Sequence, residues 1–226
     1  RAEAARCLQC GVCSECMECS YACGVDAIDH DSVAREEEIK IGAVILAPGY
    51  QAYSAQHSEE YGLGRYPNVV TALQFERFLS ASGPTLGHVL RPSDQRAPQR
   101  IAFLQCVGSR DRTHDYCSSV CCMYATKEAV IAKEHSPDLD VHIYMMDMRA
   151  FSKGYLGYFE QAKDRHGVHY HHSRISQIYE DGQTHDLLLR FSPAEGIDQE
   201  SSAGIVQTER FDMVVLSVGM EISESV

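Results

Sequence analysis

Apolar positions along the chain follow two rhythms, and the alternation between them predicts an α/β arrangement. Residues 39–46 form a nearly continuous apolar run that stops at Ala47-Pro48-Gly49, the pattern of a parallel strand buried on both faces and closed by a turn. Helical spacing predicts a helix over about 72–80, with Thr71 and Gln74 placed to form a capping box. Residues 91–98, rich in proline and charge, read as a linker. A strand at 101–105, a helix at about 117–134 and a strand at 141–146 then make a βαβ unit. A further helix at about 155–165 has Tyr155, Tyr158, Phe159 and Ala162 on one face, and Gly167 stops it. Beyond it the period shortens. Residues 169–179, 186–191 and 205–210 read as a meander, and 211–217 as a last apolar strand ending at Gly219.

Composition narrows the class. The 226 residues are 44% apolar, enough to bury a core, and no repeat or low-complexity tract interrupts them. The longest apolar stretch, 41–47, is far short of the roughly 20 residues of a membrane helix, and no signal-peptide pattern opens the chain. A soluble, cytoplasmic protein without a membrane span is expected. The formal charge of −12 repels a phosphate backbone, so nucleic acid is not an expected partner. Arg1 falls inside what reads as a charged helix and the last residues carry no stop signal, so the chain is expected to be a fragment.

Ten cysteines are the chief anomaly, six within 7–23 and four within 106–122. A disulfide scaffold belongs to small exported domains, and this chain is large and has no export signal. Clustering of this kind points to metal. In the second set, Cys106 ends a strand while Cys117, Cys121 and Cys122 open the predicted helix, with Cys117 and Cys121 four apart on one side and Cys122 about 100° further round. Dinucleotide-binding βαβ units carry a glycine loop at this turn, and their helix N-terminus receives the pyrophosphate. Here that place holds residues 105–111, and no G-x-G-x-x-G occurs anywhere in the chain. An iron–sulfur cluster is expected where the phosphates would sit, with hydride transfer from NAD disfavoured. Tetrahedral zinc is the rival, although adjacent cysteines suit its usual paired spacing poorly. Four buried core cysteines are the other alternative.

In the first set, Cys13, Cys16, Cys19 and Cys23 reproduce the bacterial ferredoxin spacing, with Gly24 where proline is usual, and Cys7 and Cys10 extend the rhythm backwards. Six cysteines do not fully ligate two four-iron cubes, so either two thiols are spare or further ligands lie elsewhere. Thiol exchange by one C-x-x-C pair is the competing reading.

Residues 101–111, the stretch Tyr116 to Ala125, Met146 to Phe151 with Lys153 and Gly154, and Asp212 to Met220 together resemble the A-subunit family of heterodisulfide reductases, from about Arg6 onward. That resemblance implies a thioredoxin-reductase-like flavoprotein with two dinucleotide-type domains and an N-terminal ferredoxin-like cysteine module. It implies FAD, a [4Fe-4S] cluster on Cys106, Cys117, Cys121 and Cys122, and electron relay or bifurcation. Other subunits of a heterodisulfide-reductase-like or hydrogenase-linked complex would be its partners, in an oligomeric assembly. The implied organisation is 1–30 ferredoxin-like, 31–98 part of the FAD domain plus linker, 99–210 an inserted unit carrying the second cluster, and 211–226 the return to the FAD domain. Flavin contacts would fall on Pro48, Gly49 and Gly219, with the FAD phosphate loop and a second FAD segment outside the chain. Residues 3–11 are also similar to the cysteine module of glutamate-synthase small-subunit relatives, which implies an NAD(P)H-dependent flavin reductase as the alternative.

Two weaker features remain. His166, His169, His171 and His172 crowd one strand, with His169 and His171 on one face and no carboxylate nearby in sequence, so they read as surface histidines. Asp147 ends a strand where nucleotide-binding folds place an acid for a ribose hydroxyl, and Arg149 and Lys153 could set the electrostatics beside a flavin or cluster.

Overall fold

A computed structural model describes residues 18–29, 33–192 and 206–222, with residues 18 and 19 as backbone only. The chain divides into two units, residues 1–47 and 48–226. In the first unit a single helical turn, α1 (Glu18–Tyr21), leads into a loop carrying Cys23. Residues 33–47 have no regular structure, and Ile39, Ile41, Val44, Ile45 and Leu46 are exposed, which corrects the expected buried strand. A parallel strand takes its hydrogen bonds from neighbours on either side, and among the described residues none pairs with this run.

The second unit begins with β1 (Gln51–Ala52), two short 3₁₀ turns, β2 (Val69–Thr71) and α2 (Ala72–Leu79). Thr71 caps α2 as its sequence predicts: the Gln74 amide donates to Thr71 Oγ1, and the Thr71 N–H donates to Gln74 Oε1 at 2.9 Å. Next come β3 (Arg100–Val107), α3 (Cys121–His135), β4 (Asp140–Met145), α4 (Tyr155–Asp164) and β5 (His169–His172). Then β6 (Ile175–Glu180), β7 (Leu187–Phe191) and β8 (Gln207–Phe211) precede β9 (Met213–Val218) and β10 (Met220–Glu221). The run 169–179 thus serves two sheets, β5 in one and β6 in the other.

Five strands form a parallel sheet in the order β2-β9-β3-β4-β5, and β6-β7-β8 form an antiparallel meander. Strand β9, expected to return to a separate domain, lies at the heart of this sheet between β2 and β3. Period-two alternation divides the core in two. Ile101, Phe103, Val141, Ile143, Met213 and Val215 point to the side of the helices, where they meet Phe75, Ala125, Ala129 and Ala132. Ala102, Leu104, Tyr144, Val214 and Leu216 face the meander and pack with Ile178, Leu187, Leu189, Phe191 and Phe211. Both faces are therefore covered, which explains why β3, β4 and β9 read as continuous apolar runs. Small residues at 125, 129 and 132 bring α3 close to the sheet, and the Phe75–Phe103 edge-to-face pair adds about 0.5–1.5 kcal/mol beyond its burial.

The segment expected to be a linker is pinned by a buried cation. Arg91 sits 2.9 Å from Asp186, 3.3 Å from Asp212 and 3.5 Å from Asp94, and its guanidinium donates to the Thr184 carbonyl at 2.6 Å. It joins the 91–96 loop to the β6–β7 turn and to the corner between β8 and β9.

Candidate metal centre

The carboxyl ends of β3, β4 and β9 meet the N-terminus of α3, the edge at which open parallel sheets hold ligands. Cys106 lies near the end of β3, where the β3–β9 register slips between Leu104 and Val107 and φ at Cys106 is +61°. Such a bulge re-aims a side chain out of strict strand alternation. Gly108, at φ +70°, follows under the ring of Tyr53; a Cβ there would lie 2.1 Å from Tyr53 Cγ. Gly219 packs on the same turn, since its own Cβ would come 2.6 Å from the Gly108 carbonyl oxygen, and its N–H donates to the Val107 carbonyl at 2.7 Å.

Helix α3 begins at Cys121 and not at Cys117, because Ser119 adopts φ +65° and breaks the helical path. Cys117 therefore stands in the loop ahead of the helix, with the Ser119 N–H donating to its Sγ at 3.3 Å. Cys121 Sγ lies 3.6 Å from the Val218 carbonyl oxygen and Cys122 Sγ 3.8 Å from that of Asp147. One thiol thus reaches β9 and its neighbour the end of β4. No side chain caps α3, and the positive end of its dipole lies at Cys121 and Cys122.

The four thiols share one electrostatic neighbourhood. Burial pushes the Cys106, Cys121 and Cys122 thiols up, Cys122 to about 11, and negative charge on the other cysteines of the set raises each further. Arg110 acts the other way on Cys106 through its charge and a hydrogen bond. None of these cysteines is in a disulfide. Buried sulfurs that oppose one another's ionisation fit a cationic metal core, which stabilises all the thiolates together.

A charge relay that sequence reading only half anticipated lies beside them. Asp147 binds Arg149 at 2.7 Å and also pairs closely with Arg110. Burial raises the Asp147 carboxyl, but hydrogen bonds from Arg149 and Arg110 outweigh it and hold the group below its usual range. Asp147 is thus committed to two guanidinium groups, which leaves no support for the ribose role. Lys153 instead lines an open groove with Tyr124, Lys127 and Tyr155.

Next to the thiols is a mostly apolar cavity of about 200 Å³, lined among others by Tyr50, Tyr124, Val218, Gly219, Met220 and Glu128. Tyr124 donates to the Val218 carbonyl at 3.0 Å, the same oxygen that Cys121 approaches. Glu128 is 2% exposed, and its Oε2 has no hydrogen-bond partner. Sequence reading missed it, although an acid seven residues after Cys121 on the small-residue face of α3 was the available signal. Of the three residues assigned to flavin, Gly219 lines this cavity; Pro48 and Gly49 are exposed and do not.

From the first cysteine set, Cys7, Cys10, Cys13 and Cys16 lie outside the described residues, as does the side chain of Cys19. Cys23 is described: the Ala27 N–H donates to its Sγ at 3.2 Å, and hydrogen bonds from Ala27 and then Val25 lower its thiol. A loop that directs amides at one sulfur suits a metal-bound thiolate.

No family model matches the chain. Curated relatives do. It is 46% identical over 197 residues to the second iron-sulfur A-subunit of the CoB--CoM heterodisulfide reductase of Methanopyrus kandleri, covering 86% of this chain and 29% of that protein. It is 42% identical over 216 residues to the corresponding iron-sulfur A-subunit of Methanocaldococcus jannaschii, covering 95% and 31%. A third relative, the A-subunit of the H(2):CoB-CoM heterodisulfide,ferredoxin reductase of Methanothermobacter marburgensis, is 42% identical over 200 residues, covering 88% and 29%. The chain therefore spans about 30% of the length of these proteins.

Proposed function

The chain belongs, over the segment these relatives share with it, to the heterodisulfide reductase A-subunit family, and from that premise we propose that it is an electron-relaying part of an oxidoreductase. The single observation carrying this reading is the placement of Cys106 near the end of β3 and of Cys121 and Cys122 in the first turn of α3, with Cys117 in the loop between them. These four residues would hold one [4Fe-4S] cluster, and Cys13, Cys16, Cys19 and Cys23, with Cys7 and Cys10 beside them, the N-terminal metal. A cluster at these thiolates supplies single-electron storage, with a potential set by charge, burial and hydrogen bonds to sulfur.

The surrounding residues act on the thiolates. Arg110 offsets negative charge at Cys106, and Asp147 fixes Arg110 in place from the end of β4. The positive end of the α3 dipole favours the anionic set, and the buried ends of β3 and β9 keep water from it. FAD in the whole protein would be the electron partner in this reading, with Gly219 among the residues that would contact it. Support for that is confined to the apolar cavity adjoining Cys121, because the described residues include no glycine-rich phosphate cradle. The other subunits of a heterodisulfide-reductase-like complex would be the partners.

Iron analysis tests the proposal. Anaerobically purified Cys121→Ala and Cys122→Ala proteins are expected to hold less iron per chain than wild type and to lose one EPR signal after reduction. Unchanged iron content would remove the second site, and zinc in place of iron in the wild-type protein would replace the electron-relay reading with a structural one.

A further inference from the structure

The histidines that sequence reading left on the surface acquire a carboxylate in the fold. Strands β4 and β5 pair in parallel with His142 opposite His169 and Tyr144 opposite His171. Period two then places Asp140, His142, His169 and His171 along one face at the open edge of the sheet. The ligand-type atoms of Asp140, His142 and His169 all lie within 4.8 Å of one another. His142 Nε2 is 2.9 Å from Asp140 Oδ2, and His169 Nε2 is 3.4 Å from Asp140 Oδ1.

The hydrogen bonding around His142 depends on its tautomer. His142 Nδ1 and His171 Nε2 are 2.8 Å apart, so one of these nitrogens donates to the other. With the proton on Nδ1 of a neutral His142, Nε2 presents a lone pair, and that lone pair faces an Asp140 carboxylate oxygen. Arg100 relieves this only in part: its Nη2 is 3.1 Å from Nε2, while its Nε already donates to Asp140 Oδ2 at 2.9 Å.

We propose that Asp140, His142 and His169 bind a divalent transition-metal cation of the zinc class, separate from the cysteine centre. The donors are two imidazole nitrogens and a carboxylate oxygen, with Asp140 Oδ1 turned toward His169, and the fourth position falls on the solvent side, where His169 is exposed. The outer contacts expected of such a site are in place. His171 Nε2 accepts from His142 Nδ1, and Arg100 holds the other carboxylate oxygen. On binding, Arg100 Nη2 moves off Nε2 toward Glu209 Oε2, which lies 3.4 Å away. The cation would clamp the edge strand β5 to β4. A bare row of polar side chains guarding a sheet edge is the alternative use of the same residues.

Anaerobically purified full-length chain is equilibrated with zinc chloride and washed, and iron and zinc are measured in the same digest, since cysteines also take up zinc. His169 is exposed, so His169→Ala should fold. At equal iron content, wild type is expected to hold one zinc per chain more than His169→Ala, with zinc affinity in the variant weaker by about tenfold or more. Cobalt substituted for zinc should give a visible ligand-field band in wild type alone. Asp140→Asn, which keeps the size of the side chain, should lose the same equivalent and decides the matter if His169→Ala fails to fold. Equal zinc in wild type and Asp140→Asn, or no zinc in wild type beyond the cysteine-bound metal, overturns the site and leaves the iron reading untouched.

Discussion

Glu128 gives the most direct test of the packing beside the thiols. Burial within α3 raises its carboxyl from the ordinary 4.5 to about 8; the neighbouring Glu76 carboxylate adds to this and Lys127 subtracts from it. Because the native value lies above the unfolded one, the folded protein retains a proton that the unfolded chain gives up between those two values. Stability from this group is therefore intact below pH 4.5, falls through the window, and levels off above pH 8. A carboxyl raised that far is linked to roughly 5 kcal/mol of stability, of which about 3–4 kcal/mol is lost between pH 5 and pH 8. Glu128→Gln keeps the shape of the neutral acid and removes its ionisation. Urea unfolding of wild type and variant at pH 5, 6.5 and 8, with metal content matched, should show the variant gaining about 3–4 kcal/mol relative to wild type across that range. Parallel pH profiles would mean that Glu128 is solvated or paired in solution, and the tightness inferred for the cavity wall would fail with it.

Three further outcomes are expected. Arg91→Ala removes a buried guanidinium from half-buried Asp186, which keeps Arg210, and from Asp212, which keeps two backbone amides, and should cost about 1.5–3 kcal/mol in urea unfolding, whereas a loss below about 1 kcal/mol would make the cluster a surface feature. Arg110→Leu removes positive charge and a hydrogen-bond donor beside Cys106, so the EPR-monitored reduction potential of the second iron site should become more negative; an unchanged potential would disconnect Arg110 from that site. Chelating the metal should strip hydrogen-exchange protection from residues 108–120 while β3, β4 and β9 stay protected, and uniform loss over all of them would show that metal and sheet unfold as one unit.

Most of the sheet was legible because its determinants are local. Strands β3, β4 and β9, the capping box at Thr71 and the helix carrying Tyr155 to Ala162 follow from periodicity and turn residues within a few positions. What escaped depends on pairing across the chain. The three-residue strand β2 is held by β9, some 145 residues later, and has no periodicity of its own. Residues 39–46 have the pattern of a buried strand but no partner among the described residues, so composition alone misled. The cysteine positions were visible as spacing, but the helix start was misplaced by four residues because the left-handed turn at Ser119 carries no glycine to announce it. The acid that joins the histidines was equally invisible, since it reaches them only through the register of β4 against β5.

The cysteine-bearing loop shows where local preference was overridden. Cys106, Arg110 and Ser119 all take positive φ, and no glycine relieves any of the three. Each left-handed residue of this kind costs about 1–3 kcal/mol, so together they cost about 3–9 kcal/mol, comparable to the net stability of an entire domain. The loop's own hydrogen bonds recover part of this, through Asp111 accepting from the Thr113 and His114 amides, the Arg110 amide donating to the Tyr116 carbonyl, and Ser118 Oγ accepting from the Met220 amide. Nor do they help the thiols of Cys106, Cys121 and Cys122, where burial and then mutual repulsion oppose formation of the thiolates that a metal needs. Strain and repulsion are both offset by a ligand that binds the folded arrangement alone, because such a ligand lowers the native state by its whole binding free energy. A zinc or iron core supplies that on thermodynamic grounds alike, and the iron and EPR measurements on the Cys121 and Cys122 variants separate the two.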